Sequence, residues 1–426
     1  MIIGTFVGFS TIVPFLKKYF GGDMARINVN NEIKTLKKVM LHRPGDELLN
    51  LTPNLLDELL FDDIPDLEKA QEEHDDFAKI FRDNMVEVVY LEDLMAEALN
   101  ANDGLRDKFL KEYLDEAGIV NADIFKESKN LLESIKDNKE FVEKTMAGIS
   151  LAEIDAFNHL RDKVVSHERY TAINPMPNLY FTRDPFSSIA NGVSINAMYS
   201  VTRSRETIYA DYIFKYHPEY KDIKDYYGRH QDKHIEGGDI LNINENLVMV
   251  GISQRTEIEA IEKLARNLIF DENNEVKQVL AVNIPNERAY MHLDTVFTQI
   301  DFDTFTYHPG IISSFHAVSF TEKDGELVSE QMDKSLDDLL KDALGLDKIN
   351  LLPCGGGDPI AALREQWTDG SNTLAIAPGK VIVYKRNNVT NRMLELNDIE
   401  VIKLDSSTLT VGRGGPRCMS MPLVRE

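Results

Sequence analysis

The sequence predicts a mixed α/β fold that carries an inserted, wholly helical segment. Short apolar strands alternate with amphipathic helices before residue 91 and again after residue 170. Between residues 92 and 163 the strand pattern stops and only helical spacing remains. Polar clusters then recur at the edges of the predicted strands, and the first three lie about 55 residues apart. A loose repeat of this length, in which each unit mixes strands with a helix, indicates radial repetition.

Composition is that of an ordinary globular protein. The 426 residues are 43% hydrophobic and 28% charged, with 47 basic and 71 acidic residues and a net charge of −24. This content is sufficient to bury a large core over one or two domains. An acidic surface repels phosphates and anionic lipids, so we expect neither a nucleic acid nor a membrane as partner. Solubility alone also explains such a charge.

The first 26 residues form an N-terminal extension of uncertain status. Ile2 to Leu16 is mostly apolar, but Pro14 interrupts it and no positive charge precedes it. A signal peptide needs such a charge and a small-residue cleavage site, and a membrane span needs about 18 apolar residues. We expect Met24 to be the start and the fold to begin near Ile27. An interfacial anchor and a genuine extension are the alternatives.

Two strands and a helix are predicted ahead of the insertion. Leu36 to His42 and Val86 to Leu91 have the composition of strands. Between them, Asp66 to Asn84 carries apolar residues three and four positions apart, which predicts a helix. The charges of the insertion are those of a solvated face. The predicted division is a main α/β unit of residues 27–91 and 164–426, and a helical insertion of residues 92–163.

After Tyr170 the sequence predicts short strands joined by tight turns, with three longer helices. The predicted strands are Ser187–Asn196, Leu247–Ile252, Val279–Val282, Thr295–Ile300, Thr373–Ala377 and Lys380–Tyr384. The predicted helices are Arg205–Tyr216, Arg255–Leu268 and Glu330–Ala343. Gly, Pro, Asn and Asp at the ends of these segments are typical of turns.

The two cysteines differ in their surroundings. Two cysteines in so long a chain make no disulfide framework and fit a reducing compartment, so we expect a cytoplasmic protein. Cys418 lies in VGRGGPRCMSMP, where glycines from Gly412 on allow close backbone approach or positive φ. Arg413 and Arg417 would lower the thiol pKa toward the nucleophilic thiolate, although a small buried cysteine explains the residue equally well. Cys354 has no adjacent cation, and we expect it to be structural.

Short motifs place titratable side chains near the predicted strand edges. In the HLD triplet, His292 and Asp294 would share one side of a strand because side chains alternate. An imidazole there can protonate a leaving amine and then activate water. Glu236 and Asp239 flank two glycines, which suits a turn that presents carboxylates and also an ordinary turn. Asp184 follows an arginine, so a local salt bridge explains it as well.

The motifs of several common enzyme classes are absent from the sequence. HExxH, CxxC and an aspartate-rich calcium loop do not occur, which argues against the usual metal sites. No Gly-Lys-Ser/Thr follows GGGD, and GxSxG does not occur, so a phosphate-binding loop and a serine hydrolase are disfavoured. The residues alone therefore indicate a Cys–His enzyme with several carboxylates.

Taken together, six motifs are far more specific than any one of them. In order between Met176 and Pro422 they are MPNLYFTRDPF, HIEGGD, SQRT, MHLDTVF, REQWTDGSNTLAIAPG and GRGGPRCMSMP. In this combination the sequence closely resembles the arginine deiminases, which belong to the guanidino-group-modifying superfamily. The resemblance runs from about Ile33 to the C-terminus and includes the helical insertion. Residues 1 to about 26 have no counterpart in it.

The resemblance implies a fold and a reaction. The implied fold is a five-bladed, pseudo-symmetric α/β propeller with an inserted helical bundle. The implied reaction is hydrolysis of free L-arginine to L-citrulline and ammonia in arginine catabolism, through a cysteine thiouronium intermediate. Water is the second substrate, and no metal or cofactor is implied. A homo-oligomer is left open.

The resemblance also implies the role of each site residue. The implied catalytic residues are Cys418 as nucleophile, His292 as general acid and base, Glu236 beside the histidine, and Asp184 and Asp294 as the carboxylates that grip the guanidinium. The implied substrate-binding residues are Asn178, Phe181, Arg203, Asp239, Arg255, Gly412 and Arg413. Among them Arg203, Arg255 and Asn178 would hold the substrate carboxylate, and Arg413 lies in a loop that would close over the ligand. The alternatives are relatives that act on agmatine, methylated arginines or peptidyl arginine, an amidinotransferase, and a non-catalytic arginine-binding protein.

Overall fold

The computed structural model describes residues 26–154, 170–285 and 290–426. The start at Met24, nearly all of the N-terminal extension and the end of the helical insertion near residue 163 lie outside the described residues. Within the described ranges, no helix combines the length and the apolar character needed to cross a bilayer.

Strands and helices alternate along most of the described chain. The strands are β1 Leu36–Leu41, β2 Glu87–Tyr90, β3 Ile149–Ser150, β4 Thr171–Ile173, β5 Phe186–Ile189, β6 Gly192–Ile195, β7 Ile240–Asn244, β8 Leu247–Ile252, β9 Gln278–Asn283, β10 Phe297–Gln299, β11 Thr304–Tyr307, β12 Ala317–Lys323, β13 Glu326–Met332, β14 Asn350–Pro353, β15 Leu374–Ala377, β16 Lys380–Tyr384, β17 Glu400–Leu404 and β18 Met421–Arg425. The α-helices are Leu56–Leu59, Leu67–Asp83, Leu91–Ala101, Leu105–Glu116, Ala122–Ser134, Asn138–Ala147, Val201–Ser204, Thr207–Tyr216, Ile258–Ile269, Leu293–Val296, Leu336–Leu344, Pro359–Gln366 and Asn388–Leu396.

Four sheets contain three strands in one shared order. The first and second strands are antiparallel, and the third strand is parallel to the second. These strand sets are β18-β1-β2, β7-β8-β9, β10-β11-β14 and β15-β16-β17. The set β7-β8-β9 is extended by β12 and β13. A fifth unit is the hairpin β5-β6, which has a parallel bridge from Val193 to Asp225 in place of a third strand. In each unit a helix lies in the crossover, because parallel neighbours cannot be joined by a tight turn.

The pairing of β18 with β1 joins the two ends of the described chain. Leu36 lies opposite Arg425 and Met40 lies opposite Met421 in this antiparallel ladder. The segment just before β18 contains Cys418, so the ladder fixes the position of that segment beside β1.

Four helices lie between Leu91 and Ala147, almost entirely within the residues predicted to form the helical insertion. Its apolar side chains do not form a separate core. Phe109 and Phe141 are buried together with Tyr212 of the helix Thr207–Tyr216 in one cluster. The rings of Phe109 and Tyr212 meet edge to face with centroids 5.1 Å apart. The insertion is therefore held to the α/β unit by continuous apolar packing.

A buried histidine ties the insertion to β1. His42 directly follows β1, and its two ring nitrogens lie 2.8 Å from Glu92 Oε2 and 3.2 Å from Glu47 Oε1. Burial lowers the pKa of His42, but the two carboxylates outweigh burial and raise the pKa to about 10. The contact between β1 and the helix Leu91–Ala101 therefore contains a charged imidazolium between two carboxylates.

Most predicted elements are confirmed to within two residues of their ends. Those confirmed are β1, β2, β8, β9, β10, β15, β16 and the helix Leu67–Asp83. The predicted helix at 205–216 begins at Thr207, after a separate turn at Val201–Ser204, and the predicted helix at 255–268 begins at Ile258.

Two predicted elements were wrong in part. Ser187–Asn196 is a hairpin, not one strand, and Ala190 in its turn has a φ of 52°. The helix predicted from Glu330 begins at Leu336, where the Ser335 side chain accepts a hydrogen bond from the backbone of the first turn. The preceding residues belong to β13, which pairs with β12 over seven residue pairs.

Candidate active site

A cavity of about 480 Å³ gathers most of the residues that the sequence singled out. Its lining includes Asn178, Phe181, Asp184, Arg203, Arg255, His292, Gly412, Arg413 and Cys418. Glu236 and Asp294 are fully buried and contact lining residues: Glu236 bonds to His292, and Asp294 approaches Cys418. The structure thus brings eleven of the twelve predicted residues to one place.

The loop before the cysteine depends on glycine for close packing. A side chain at Gly412 would overlap Tyr180 Oη, and one at Gly414 would overlap the ring of Phe181. The glycines themselves do not have positive φ; the left-handed residue in this loop is Arg413, with a φ of 64°. Of the two reasons predicted for glycine in this loop, close backbone approach is therefore confirmed and positive φ is not.

Cys418 is buried among acids. Its Sγ lies 3.2 Å from Asn372 Nδ2 and 3.7 Å from Asp294 Oδ2. Burial raises the pKa of the Cys418 thiol well above its ordinary value, and the charges of Asp294, Asp184 and Asp369 raise it further. Without a ligand the sulfur is therefore held as the thiol at neutral pH.

The prediction that neighbouring arginines lower this thiol pKa was wrong. Arg417 donates to Asp294 Oδ2 at 2.8 Å and to the two oxygens of Glu32 at 3.1 Å each. Arg413 donates from Nη1 to Asp62 Oδ2 at 3.2 Å. Both guanidinium charges are engaged by carboxylates, so little of either is left to stabilise a thiolate.

His292 lies between two carboxylates. Its Nε2 is 2.7 Å from Glu236 Oε2, and its Nδ1 is 3.7 Å from Asp184 Oδ1. Burial lowers the pKa of His292, but Asp184 and the hydrogen bond to Glu236 raise it to about 9. Burial likewise raises the pKa of Glu236, but the bond from His292 and the charges of Arg255 and Arg203 lower it to about 2. The pair is an imidazolium bonded to a carboxylate.

The placement of His292 in a strand was wrong. His292 instead precedes the short helix Leu293–Val296. The turn is held by Asp239, whose Oδ1 accepts the first N–H of that helix at 2.8 Å. Its Oδ2 accepts from the hydroxyls of Ser253 at 2.7 Å and Thr256 at 2.6 Å. Asp239 was predicted to bind substrate, but both of its oxygens accept hydrogen bonds from the protein, and it is not part of the cavity lining.

Two carboxylates each present one unused oxygen. Asp184 Oδ2 accepts from Arg203 Nη1 at 2.7 Å, and Asp294 Oδ2 accepts from Arg417. Their Oδ1 atoms are buried and have no hydrogen-bond partner among the described residues. Burial also raises the pKa of Asp294. Buried acceptors are nearly always paired, so these two oxygens are acceptors suited to a group with several donors.

Arg203 is fixed by two acids. It donates to Asp184 at 2.7 Å and to Glu206 Oε2 at 2.9 Å. Burial lowers the pKa of Arg203, but Glu206 and Asp184 raise it well above its ordinary value. The ion pair of Asp184 is therefore with Arg203 and not with the preceding Arg183, whose Nε donates to a backbone carbonyl.

Arg255 is held less closely by acidic side chains than Arg203 is. Its Nη1 is 3.9 Å from Glu236 Oε1, and its guanidinium lies over the ring of Tyr199 with 5.6 Å to the centroid. Its Nε is buried and has no hydrogen-bond partner within the described ranges. Asn178 donates from Nδ2 to the carbonyl of Leu59 at 2.7 Å. Arg255 thus has donors available for an anionic group in the cavity.

Asp184, Glu236 and His292 could also be considered as metal ligands. Their candidate ligand atoms lie within 4.8 Å of one another. The 2.7 Å between His292 Nε2 and Glu236 Oε2 is a hydrogen-bond distance, so the same arrangement also fits a pair that shares a proton.

Asn372 contacts the sulfur and was missed by sequence reasoning. It lies in the motif REQWTDGSNTLAIAPG, two residues before the first apolar residue of β15. A polar residue entering a buried strand was the available signal. Cys354 lies outside the cavity, where burial raises its thiol pKa to about 11.

Comparison with known proteins decides the family. Residues 57–425 match the family model described as arginine deiminase. The chain belongs to the arginine deiminase family. It is 54% identical over 407 residues to the arginine deiminase of Treponema denticola, which covers 95% of this chain and 99% of that protein. It is 53% identical over 405 residues to that of Streptococcus gordonii, covering 94% and 98%.

Solved structures show a wider fold relationship. SxtG, an amidinotransferase from Microseira wollei, is similar with a TM-score of 0.53 and 15% identity, over 94% of this chain and 98% of that one. AgrE, in its complex with ornithine and NAD+, is similar with a TM-score of 0.52 and 12% identity, over 91% of this chain and 39% of that one. Family members and these more distant proteins thus share a mixed α/β fold.

Proposed function

We propose that the protein hydrolyses the guanidinium group of free L-arginine to L-citrulline and ammonia through a thiouronium intermediate on Cys418. One observation carries the proposal. A cysteine sulfur, an imidazolium and two carboxylates with unused oxygens meet at one buried cavity. Membership of the arginine deiminase family supports the choice of arginine as substrate.

Asp184 and Asp294 bind the guanidinium in this proposal. A guanidinium presents its N–H donors in a planar fork, and the unused Oδ1 atoms are acceptors that lack donors among the described residues. Asp294 also lies 3.7 Å from Cys418 Sγ, so a guanidinium bound there brings its carbon to the sulfur. Orientation of this kind supplies a large part of the rate enhancement of many enzymes.

The substrate charge also prepares the nucleophile. Burial and nearby carboxylates hold the pKa of Cys418 high in the empty cavity. A bound guanidinium offsets the field of those carboxylates and stabilises the thiolate next to it, and the thiol proton is released to solvent. The reactive form of the cysteine is therefore generated mainly when arginine is present.

His292 moves the protons. The thiolate attacks the guanidinium carbon, and the imidazolium donates its Nδ1 proton to the departing ammonia, which leaves the thiouronium. The neutral imidazole then takes a proton from water, and the oxygen of that water adds to the same carbon. The adduct expels the thiolate, and the remaining hydroxyl proton is released to solvent to give neutral citrulline. Glu236, bonded to Nε2, stabilises the charged state of His292 at each stage.

The far end of the cavity supports an amino acid as substrate. Arg255 has unused donors, and Arg203 and Asn178 also line the cavity. These groups suit the α-carboxylate of arginine, since a guanidinium fork matches a carboxylate in two-point contact. Arg413 lies in the loop before Cys418, and we propose that this loop closes over the bound substrate.

We also propose the finer architecture. The four units that share one strand order, together with the unit of the β5-β6 hairpin, are arranged radially as five propeller blades, with residues 92–163 inserted as a helical bundle. The pairing of β18 with β1 supports closure, because it joins the two ends of the described chain within one sheet. Two free thiols support a reducing, cytoplasmic location.

Replacement of each cysteine tests the proposed function. Cys418→Ser should abolish citrulline formation from arginine and leave the circular dichroism spectrum unchanged, since serine preserves the fold but not the thiolate. Cys354→Ser is the matched control and should retain most activity. An active Cys418→Ser enzyme, or a folded but inactive Cys354→Ser enzyme, would show that the nucleophile has been assigned to the wrong residue.

A further inference from the structure

We infer that Asn372 is a further catalytic residue, which stabilises the Cys418 thiolate by donating a hydrogen bond from its side-chain amide. Asn372 Nδ2 lies 3.2 Å from Cys418 Sγ, and both side chains are buried. The inference rests on the proposed role of Cys418 as the nucleophile, because only then does the charge on its sulfur matter to the reaction.

The orientation of the amide is fixed by its other contacts. Asn372 Oδ1 accepts hydrogen bonds from the backbone N–H groups of Arg417 at 3.1 Å and Cys418 at 3.2 Å. Nδ2 in turn donates to the backbone carbonyl of Asp294 at 3.2 Å. If the amide were flipped, an NH2 group would face two N–H donors and an oxygen would face a carbonyl. The donor end of Asn372 must therefore be the end that faces the sulfur.

The sulfur needs such a donor because its surroundings oppose a negative charge. Burial and the charges of Asp294, Asp184 and Asp369 all raise the pKa of the Cys418 thiol. The neighbouring arginines are engaged by other carboxylates and do not compensate. A bound guanidinium supplies a positive charge, but it is consumed as the tetrahedral adduct forms. Asn372 donates to the same atom before, during and after attack.

The position of Asn372 makes this donor rigid. The residue is fully buried, and it directly precedes Thr373 and β15. Its amide also holds two successive backbone N–H groups of the cysteine loop. A fixed donor costs no reorganisation when charge develops, which is the property of an effective oxyanion-type site. A hydrogen bond to an ionised group is strong enough to move a pKa by about one to two units.

Two substitutions separate the donor from the structural contact. Asn372→Asp retains the size of the side chain and an oxygen for the backbone N–H groups of Arg417 and Cys418, but it removes the donor. Asn372→Ala removes both. Each is made in a Cys354→Ser background, so that Cys418 is the only thiol. The rate of alkylation by iodoacetamide is then measured against pH in the absence of arginine, and its midpoint gives the thiol pKa.

We expect both substitutions to raise the midpoint by about one unit or more. The aspartate should raise it at least as far as the alanine, because a carboxylate beside the sulfur adds repulsion. The kcat for arginine should fall accordingly, with a smaller change in KM, since Asn372 does not line the cavity.

A wild-type midpoint in Asn372→Asp would overturn the inference and leave Asn372 with a purely positioning role. If the aspartate variant does not fold, an unchanged midpoint in Asn372→Ala has the same meaning. Failure of the proposed function is detected separately, by citrulline formation in Cys418→Ser, because the alkylation assay does not depend on turnover.

Discussion

We propose Arg255 as the main cation that binds the carboxylate of arginine, and its removal tests the choice of substrate. Its Nε has no hydrogen-bond partner among the described residues, and its nearest ion-pair contact is at 3.9 Å, to Glu236. Arg203, by contrast, is held by Asp184 and Glu206 within 2.9 Å. Truncation of one member of a buried charge pair costs about 2–5 kcal/mol, which is some tens- to thousands-fold in binding.

We expect Arg255→Ala to lose activity on arginine mainly through KM. The substrate carboxylate lies far from the reacting carbon and binds similarly before and during the reaction. Misplacement of the guanidinium relative to Cys418 should lower kcat as well. Agmatine has no carboxylate, so the wild type should process it poorly and Arg255→Ala should narrow the preference for arginine.

Steady-state kinetics on both substrates provide the test. Arg203→Ala should also weaken the preference, but it should lower kcat for both substrates because Asp184 loses its ion pair. The matched control is Arg266→Ala, an exposed arginine on the helix Ile258–Ile269, and its kinetics should equal those of the wild type. An arginine-to-agmatine ratio that stays unchanged in both Arg255→Ala and Arg203→Ala would refute the reasoning and reopen the choice of substrate.

Three further predictions concern proton transfer and stability. Glu236→Gln removes the charge that stabilises the His292 imidazolium, so the basic limb of the kcat–pH profile should move at least about one unit to lower pH. An unmoved limb would show that Glu236 does not set the pKa of the general acid. Glu73→Ala removes the acceptor of the backbone N–H groups of residues 407–409 and should lower the free energy of unfolding in urea by roughly 2–4 kcal/mol, whereas exposed Glu72→Ala should change it by less than about 0.5 kcal/mol; equal losses would contradict this. His42 has a folded pKa of about 10, above its unfolded value, so its stabilisation is complete below about pH 6.5 and is lost as pH rises through 10. The difference in Tm between wild type and His42→Gln should therefore shrink between pH 7 and pH 10, and a constant difference would argue against the charged state.

Elements whose signals are local were predictable from the sequence. The helix Leu67–Asp83 has a strong apolar face, and Asp66 caps it with its side chain. The strand β13 was not predictable, because its residues are largely exposed and polar. Its conformation comes from pairing with β12 and not from its own pattern.

The residues of the site were predictable as a set, but their electrostatic state was not. Arg417 is adjacent to Cys418 in sequence, which suggested that it would activate the thiol. Its actual partners are Glu32, 385 positions away, and Asp294, 123 positions away. Asp239 lies three residues from Glu236 but is bonded to a different part of the backbone. Adjacency in sequence identifies residues, whereas only the fold determines which charges meet.

The ladder between β18 and β1 also governs when activity arises during folding. Its partners, such as Leu36 and Arg425, are separated by nearly the whole described chain. Contacts of such sequence separation form late, since the entropy of closing the intervening loop must be overcome first. Because Cys418 lies just before β18, we expect its sulfur to reach His292 only when this ladder is made. A partly folded chain should therefore form no citrulline, and the appearance of citrulline during refolding should coincide with completion of the native topology.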